Sequence, residues 1–171
     1  MRDLKRPNAK LHAYEMLKDK VQRVYTPMVK KSFLRKGKRY LVDVPYIPDL
    51  LFVYDCKSVI DPIVSSIPTF QYRFVRGETP HRGREVIVSD KEMEQFIRVT
   101  GSMEQFRYYS IDEVSPLMYG RKICIVGGSL DGCVGRLKAK RGSKFKELII
   151  EMQGILALGV RVSPEYIRFL D

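Results

Sequence analysis

Few side chains in this chain are of the types that catalyse reactions, and their spacing does not bring them together. The two histidines, His12 and His81, lie far apart. No motif of a zinc protease, a serine hydrolase or a Walker loop is present. Gly127 to Gly132 has the glycine spacing of a phosphate loop, but Cys133-Val134 replaces the required Lys-Ser/Thr. We therefore expect no enzyme, no catalytic residue, no metal site and no cofactor.

The chemistry that the composition favours is contact with phosphate. The formal net charge is +11, and residues 1–40 contain 13 Lys/Arg against 3 Asp/Glu. Such a surface attracts nucleic acid, although a solvated basic face without a ligand fits the charge alone equally well. A basic membrane-binding helix fits less well, because the first predicted helix lacks a broad apolar face.

The hydrophobic runs and the cysteine spacing bear on three classes: membrane-spanning, secreted and disulfide-bonded proteins. No apolar run approaches the roughly 20 residues that span a bilayer, and the charged N-terminus does not resemble a signal peptide. The three cysteines lack C-x-x-C spacing, which favours reduced thiols in a cytoplasmic protein. We expect no membrane contact.

The first hundred residues predict an α+β domain with an antiparallel sheet and flanking helices. Helices are expected where apolar residues recur at helical spacing after a capping residue, and strands where apolar runs meet turn residues. The predicted elements are a helix over 9–20 capped by Asn8, a strand over 24–29, a hairpin turn at 36–38, a buried central strand over 50–54, a helix over 57–66 whose start Pro62 limits, a strand over 70–75, and a helix that the Ser89-Asp90-Lys91-Glu92 capping box opens.

The end of the chain predicts a small all-β barrel. Glycines cluster between Val126 and Gly135, with strands expected at 122–125, 146–150 and 160–162. Residues 101–116 show no periodicity and are predicted to form a linker. The predicted domains are therefore 1–100 and 117–171, joined by 101–116.

The stretch Val126 to Gly135 resembles a KOW motif, although Ser129 stands where that family often has proline. The whole chain resembles NusG-type transcription factors, which join an N-terminal (NGN) domain to a KOW barrel. The likeness rests on Tyr25-Thr26-Pro27-Met28, Lys36-Gly37-Lys38-Arg39 and Val44 to Val53. Pro48-Asp49-Leu50 departs from the family's Pro-Gly-Tyr or Pro-Asn-Tyr. Arg2 to Lys10 and Leu50 to Val53 are most similar to the UpxY-type paralogues, encoded with capsular polysaccharide operons.

This resemblance implies an operon-specific antitermination factor that binds the clamp helices of the RNA polymerase largest subunit and suppresses pausing and termination. By position, the anchors in an apolar depression would be Ile47, Leu50, Phe52, Phe74 and Met93. Each of them could instead be ordinary core. Leu50 is expected to face outward, because it follows the break at Pro48-Asp49.

The same resemblance implies contacts with nucleic acid and with a further protein. Lys5, Arg6 and Lys10 flank the first helix and would contact non-template DNA or leader RNA. In the KOW domain the exposed candidates for binding a ribosomal protein or a termination factor are Leu130, Cys133 and Arg136. The factor is expected to act as a monomer.

Two features depart from the family, and one alternative function also fits the sequence. The chain begins inside the strand with which family members start, and the segment near Asp61-Pro62-Ile63 lacks the hydroxyl groups of a specialised member's second polymerase contact. The alternative function is a KOW-type RNA-binding protein acting in ribosome assembly or translation. The Pro48 to Val53 strand and its preceding hairpin favour the polymerase-binding function.

Overall fold

The computed structural model describes residues 1–3, 13–75, 83–102, 106–110, 113, 120–138, 146–152 and 154–170. The chain forms two compact units, 1–85 and 86–171. This division differs from the boundary that the sequence predicts, because the helix over 90–101 falls in the second unit.

The first unit is mixed α+β with short strands and one long hairpin. Its elements are β1 Arg2–Asp3, α1 Ala13–Leu17, β2 Arg23–Tyr25, β3 Met28–Arg35, β4 Lys38–Pro45, β5 Phe52–Tyr54, α2 Lys57–Ser66 and β6 Phe70–Gln71. Strands β1 and β6, β2 and β5, and β3 and β4 pair antiparallel. The predicted start of the first helix lies outside the described residues.

The buried central strand predicted over 50–54 is regular only at Phe52–Tyr54, and Tyr54 is exposed, whereas Leu50 and Leu51 are buried. On one side β5 pairs with β2. On the other side the Asp3 N–H donates to the Asp49 carbonyl at 3.0 Å, and the Leu51 N–H donates to the Met1 carbonyl at 3.1 Å. Leu51 joins Ala13, Leu17 and Phe70 in the core cluster of this unit. Helix α1 therefore packs its buried face against the central segment.

The β3–β4 hairpin follows the local signal closely. Eight residue pairs run from Met28↔Pro45 to Arg35↔Lys38, closed by a two-residue turn. The turn residues Lys36 and Gly37 have φ of 51° and 73°. Positive φ at both central positions marks the turn type whose twist matches paired strands. The predicted hairpin is confirmed.

Other local predictions in the first unit need correction. Helix α2 has the predicted bounds, but Pro62 lies inside it and does not limit its start. The predicted strand over 24–29 is interrupted at Thr26-Pro27, since proline offers no N–H to a ladder. The predicted strand over 70–75 is regular only at Phe70–Gln71, with an isolated bridge from Phe74 to Glu85.

The second unit is a six-stranded antiparallel sheet with one helix. Its elements are α3 Asp90–Gly101, β7 Phe106–Ser110, β8 Lys122–Ile125, β9 Val134–Lys138, β10 Lys146–Met152, β11 Leu156–Val162 and β12 Ile167–Phe169, in the sheet order β12-β8-β9-β10-β11-β7. The strands predicted at 122–125, 146–150 and 160–162 are confirmed. A closed barrel stays a prediction.

The pairing register divides this sheet into an inner and an outer face. On the inner face Leu148 pairs with Val160, and Ile150 pairs with Leu158; all four are buried. Their neighbours Glu147 and Glu151 point to the outer face, as the two-residue period of a strand requires. Most of the hydrophobic core of the second unit therefore lies on the inner face, and a smaller buried cluster of Tyr109, Ile149 and Ala157 lies on the outer face.

Helix α3 begins at the predicted capping box. Ser89 Oγ accepts from the Glu92 N–H, and the Glu92 carboxylate accepts from the Ser89 N–H. Phe96 and Val99 are fully buried, and the Phe96 ring lies 6.5 Å from the Tyr108 ring of β7. The helix therefore packs on the sheet of its own unit.

Strand β7 occupies part of the stretch that the sequence assigns to a linker. Residues 106–110 pair with β11 from Val160↔Phe106 to Leu156↔Ser110. Aromatic residues suit strands when a neighbouring face can cover them, and α3 supplies that cover at Tyr108.

In the part of the chain that the structure describes, no helix is long and apolar enough to cross a membrane.

Candidate nucleic-acid interface

The β3–β4 hairpin presents two chemically different faces. Residues paired across an antiparallel ladder lie on the same face, and alternate pairs lie on opposite faces. One set of pairs comprises Val29↔Val44, Lys31↔Val42, Phe33↔Tyr40 and Arg35↔Lys38; the other comprises Met28↔Pro45, Lys30↔Asp43, Ser32↔Leu41 and Leu34↔Arg39. We call the first set the aromatic–basic face and the second the aliphatic face.

The aromatic–basic face combines two rings with three cations. Phe33 and Tyr40 are paired across the ladder and are 48% and 49% exposed. Lys31, Arg35 and Lys38 are exposed beside them and form no ion pair within the described part of the chain. An exposed aromatic surface bordered by uncompensated positive charge is the arrangement that attracts a strand of nucleic acid.

The aliphatic face differs in its charge balance. Leu34 and Leu41 are 72% and 73% exposed. Lys30 pairs with Asp43 at 3.1 Å, so the one carboxylate of the two strands neutralises a lysine on this face. The positive charge of the hairpin is therefore less compensated on the aromatic–basic face.

Exposed hydrophobic side chains concentrate on this hairpin. Among the described residues twelve large hydrophobics are exposed, and the hairpin contributes five of them: Phe33, Leu34, Tyr40, Leu41 and Val42. A two-stranded hairpin by itself is marginally stable in water, and an apolar cluster of this kind marks an interaction surface.

Buried contacts fix the base of the hairpin. Thr26, which is buried, donates its hydroxyl proton to the Leu50 carbonyl at 2.9 Å. The Tyr46 N–H donates to the Pro27 carbonyl at 2.7 Å on the other strand of the base. The arm therefore leaves the core at a defined point, although its distal half is exposed.

An ion cluster holds the turn before β5. The Asp49 carboxylate accepts from Arg2 at 3.0 Å and from Arg73 at 3.2 Å. Burial lowers the pKa of the Arg73 guanidinium, whereas Asp49 acts in the opposite direction. Arginine stays protonated in proteins, so this cluster is a structural anchor beside Ile47 and Leu50.

The predicted polymerase anchors are found in different environments. Leu50 is 1% exposed, so the expectation that it faces outward is wrong: its position between β1 and the Thr26 hydroxyl turns it inward. Ile47, Phe52 and Phe74 are half-buried, with the Phe52 ring 6.4 Å from Tyr25. Met93 is half-buried on α3, in the second unit.

The predicted nucleic-acid contacts Lys5, Arg6 and Lys10 lie outside the described residues. The sequence predictions place nucleic-acid contacts only near the first helix and do not include the hairpin face. Its signal was present in the alternation of Lys31, Phe33 and Arg35.

Two of the three predicted KOW partner residues are not exposed. Leu130 and Cys133 are 4% and 0% exposed, whereas Arg136 is exposed on β9. The Cys133 thiol accepts a hydrogen bond from Arg98 at 3.4 Å. Burial raises the pKa of this thiol, and Arg98 opposes the rise. Leu130 and Cys133 are core residues because the turn that carries them folds inward.

The outer face of the sheet in the second unit is basic. Its register brings together six cations and two carboxylates, namely Arg107, Lys122, Arg136, Lys138, Arg161 and Arg168 with Glu147 and Glu151. This face could contact phosphate, although part of its charge is internally paired.

A buried tyrosine organises the middle of this outer face. Tyr109 donates to Glu147 Oε1 at 2.7 Å, and Lys138 lies 3.4 Å from Glu147 Oε2. Burial and the Glu147 carboxylate raise the pKa of Tyr109, and Lys138 acts against them. Within the described residues no group of three or more His, Cys, Asp or Glu side chains could hold a metal ion.

Comparison of the sequence with protein-family models finds no match, and comparison with curated proteins finds none either.

Proposed function

We propose that this protein is an operon-specific transcription elongation and antitermination factor. It binds the clamp helices of the RNA polymerase largest subunit, suppresses pausing and termination, and serves capsular polysaccharide operons. We also propose the fold type of each region: the α+β region is an NGN-type domain, and the six-stranded antiparallel sheet is part of a KOW-type barrel.

The observation that carries the proposal is the antiparallel β2–β5 pair with the anchored hairpin between its strands. Tyr25-Thr26-Pro27, Lys36-Gly37 and Pro48 to Val53 carry the resemblance to NusG factors, and all three fall in this one substructure. A unit built on a six-stranded antiparallel sheet follows it in the chain. The order of elements therefore supports the proposal independently of charge.

Ile47, Phe52 and Phe74 are the proposed clamp-helix contacts. They are half-buried, so each retains surface that a partner helix can cover. A few apolar anchors carry most of the energy of such helix-in-groove binding. Leu50 supports them from the core, and Met93 stays a prediction.

Binding to polymerase tests the first step. Ile47→Glu places a charge in the proposed contact, and we expect at least tenfold weaker binding of the purified full chain to cognate RNA polymerase, corresponding to about 1.4 kcal/mol. Val59→Glu is the control, because Val59 is exposed on α2 and belongs to no proposed contact. Equal affinity of the two variants would remove the clamp-helix assignment.

Single-round transcription tests the biological step. The template carries a polysaccharide-operon leader or a matched unrelated leader, with and without the protein. More full-length transcript on the operon leader alone is the expected result. Equal effects on both leaders would indicate a general elongation factor and contradict operon specificity.

A KOW-type RNA-binding protein of ribosome assembly or translation is the second candidate. The basic outer face of the second unit favours it, with Arg136 exposed in the middle of the sheet. A KOW contact with a ribosomal protein or a termination factor fits either function. RNA binding with no effect on transcription from either template would favour this second candidate.

A further inference from the structure

We propose that the aromatic–basic face of the β3–β4 hairpin binds single-stranded nucleic acid, stacking bases on Phe33 and Tyr40 and holding phosphates with Lys31, Arg35 and Lys38. The proposal goes beyond the polymerase contact, because it concerns a different surface and requires no polymerase. It would hold for either function considered above.

The two rings form a stacking platform. Directly opposed residues of an antiparallel pair have Cβ atoms about 5 Å apart, so Phe33 and Tyr40 are neighbours on one face. About half of each side chain is exposed. Stacking on such rings tolerates any base, because every base has a π-face.

The cations surround this platform on both strands. Lys31 and Arg35 lie two residues before and after Phe33, and Lys38 lies two residues before Tyr40. From Lys31 to Arg35 the strand rises about 13 Å, which is long enough to follow several phosphates. The hairpin's one carboxylate, Asp43, lies on the aliphatic face and does not repel a polyanion here.

The combination selects among polyanions. A duplex offers phosphates but keeps its bases stacked on one another, so the rings would gain nothing from it. An acidic polypeptide offers charge without the π-faces that aromatic side chains stack on. A single strand supplies phosphates and free base faces together.

Fluorescence polarisation with labelled dT20, rU20 and a 20-base-pair duplex tests the proposal on the purified full chain. The double variant F33A/Y40A should weaken single-strand binding about tenfold or more, since stacking contributes on the order of tenfold per base. The matched control L34A/L41A removes two apolar side chains, which are more exposed than the rings, from the aliphatic face of the same hairpin and should stay within about twofold of wild type. Circular dichroism verifies that both variants fold.

A spectroscopic reporter separates stacking from charge. The chain contains no tryptophan, so Tyr40→Trp introduces a single one on the aromatic–basic face and Leu41→Trp introduces a single one on the aliphatic face. Addition of dT20 or rU20 should quench the indole fluorescence of the Tyr40→Trp variant strongly and that of the Leu41→Trp variant little. Charge is tested by R35Q/K38Q, which should lower the slope of log affinity against log salt by about 0.7 per lost phosphate contact.

The outcomes separate cleanly. Tighter binding of dT20 or of rU20 identifies DNA or RNA as the source of the strand, and either result supports the proposal. Three results would each overturn it: equal affinity for the duplex, an equal loss in F33A/Y40A and L34A/L41A, or displacement by polyglutamate without quenching in the Tyr40→Trp variant. None of these readouts uses polymerase, so failure here leaves the clamp-helix proposal standing.

Discussion

Two hairpins of similar length occupy opposite environments in this molecule. β3–β4 has eight consecutive pairs and β10–β11 has seven. In β10–β11 the inward side chains, such as Leu148 and Leu158, are fully buried. In β3–β4 the corresponding positions are exposed on both faces beyond the base. Regular backbone pairing therefore does not decide whether a hairpin becomes core.

The difference shows what each hairpin can do. β10–β11 has strands on both sides, β9 and β7, and buried side chains on both of its faces, so it is committed to the fold. β3–β4 pairs only with itself among the described strands. Its side chains can change without loss of the core, which leaves them free to serve as a binding arm.

Leucine truncation gives the sharpest contrast between the two hairpins. Leu158→Ala should lower the free energy of unfolding by about 3 kcal/mol, because it leaves a cavity in a packed core. Leu41→Ala should change it by less than about 0.5 kcal/mol, because that side chain is already solvated. Urea unfolding of both variants measures the difference, and similar losses would contradict the exposed placement of the hairpin.

Glycine substitution separates close packing from turn geometry. A Cβ at Gly135 would clash with the Ile149 carbonyl and lie 2.7 Å from Leu148 Cδ1. Gly135→Ala should therefore cost about 1–3 kcal/mol through overpacking. Gly37→Ala meets no neighbour within 4 Å and is strained only by its φ of 73°, so it should cost about 1 kcal/mol. Thermal unfolding ranks the two, and a reversed order would contradict the tight β9–β10 approach.

Alkaline pH should weaken the sheet through Tyr109. Its pKa is raised in the folded protein, chiefly by burial, so the folded state keeps the phenol proton while the unfolded chain loses it. Stability is then complete below about pH 10, the ordinary tyrosine pKa, and falls as the pH rises through the folded value. Tyr109→Phe should cost about 1 kcal/mol at neutral pH and show a shallower alkaline fall. Urea midpoints from about pH 8 to 11, which bracket the ordinary tyrosine pKa, measure both, and parallel profiles would contradict the coupling.

Ion pairs provide the smallest contrast. Lys30–Asp43 in the exposed hairpin has side chains 70% and 58% exposed, so Asp43→Asn should cost less than about 0.5 kcal/mol. Glu147→Gln removes a carboxylate that Tyr109 and Lys138 both contact and should cost about 1 kcal/mol. Chemical denaturation at low and high salt measures both. Salt screens exposed charges, so a loss of stability in Asp43→Asn that does not change with salt would contradict the solvent exposure of the Lys30–Asp43 pair.

Sequence reasoning predicted local features well and side-chain direction poorly. The Ser89 capping box, the Lys36-Gly37 turn and the bounds of α2 are confirmed, because each depends on residues a few positions apart. The candidate site was predicted less well. Leu50 and Cys133 follow turn signals that allow either direction, and contacts distant in sequence turned both inward.

The amino-acid sequence by itself determined where the β3–β4 hairpin turns and where α2 and α3 start, because those properties depend on φ preferences and on residues a few positions apart. Only the tertiary structure decided that residues 106–110 join the sheet and that one regular hairpin is buried while another projects. The physical reason is that burial depends on which distant surface is available to cover a face. β10–β11 pairs with neighbouring strands on both sides, whereas the rings and cations of β3–β4 are exposed to solvent.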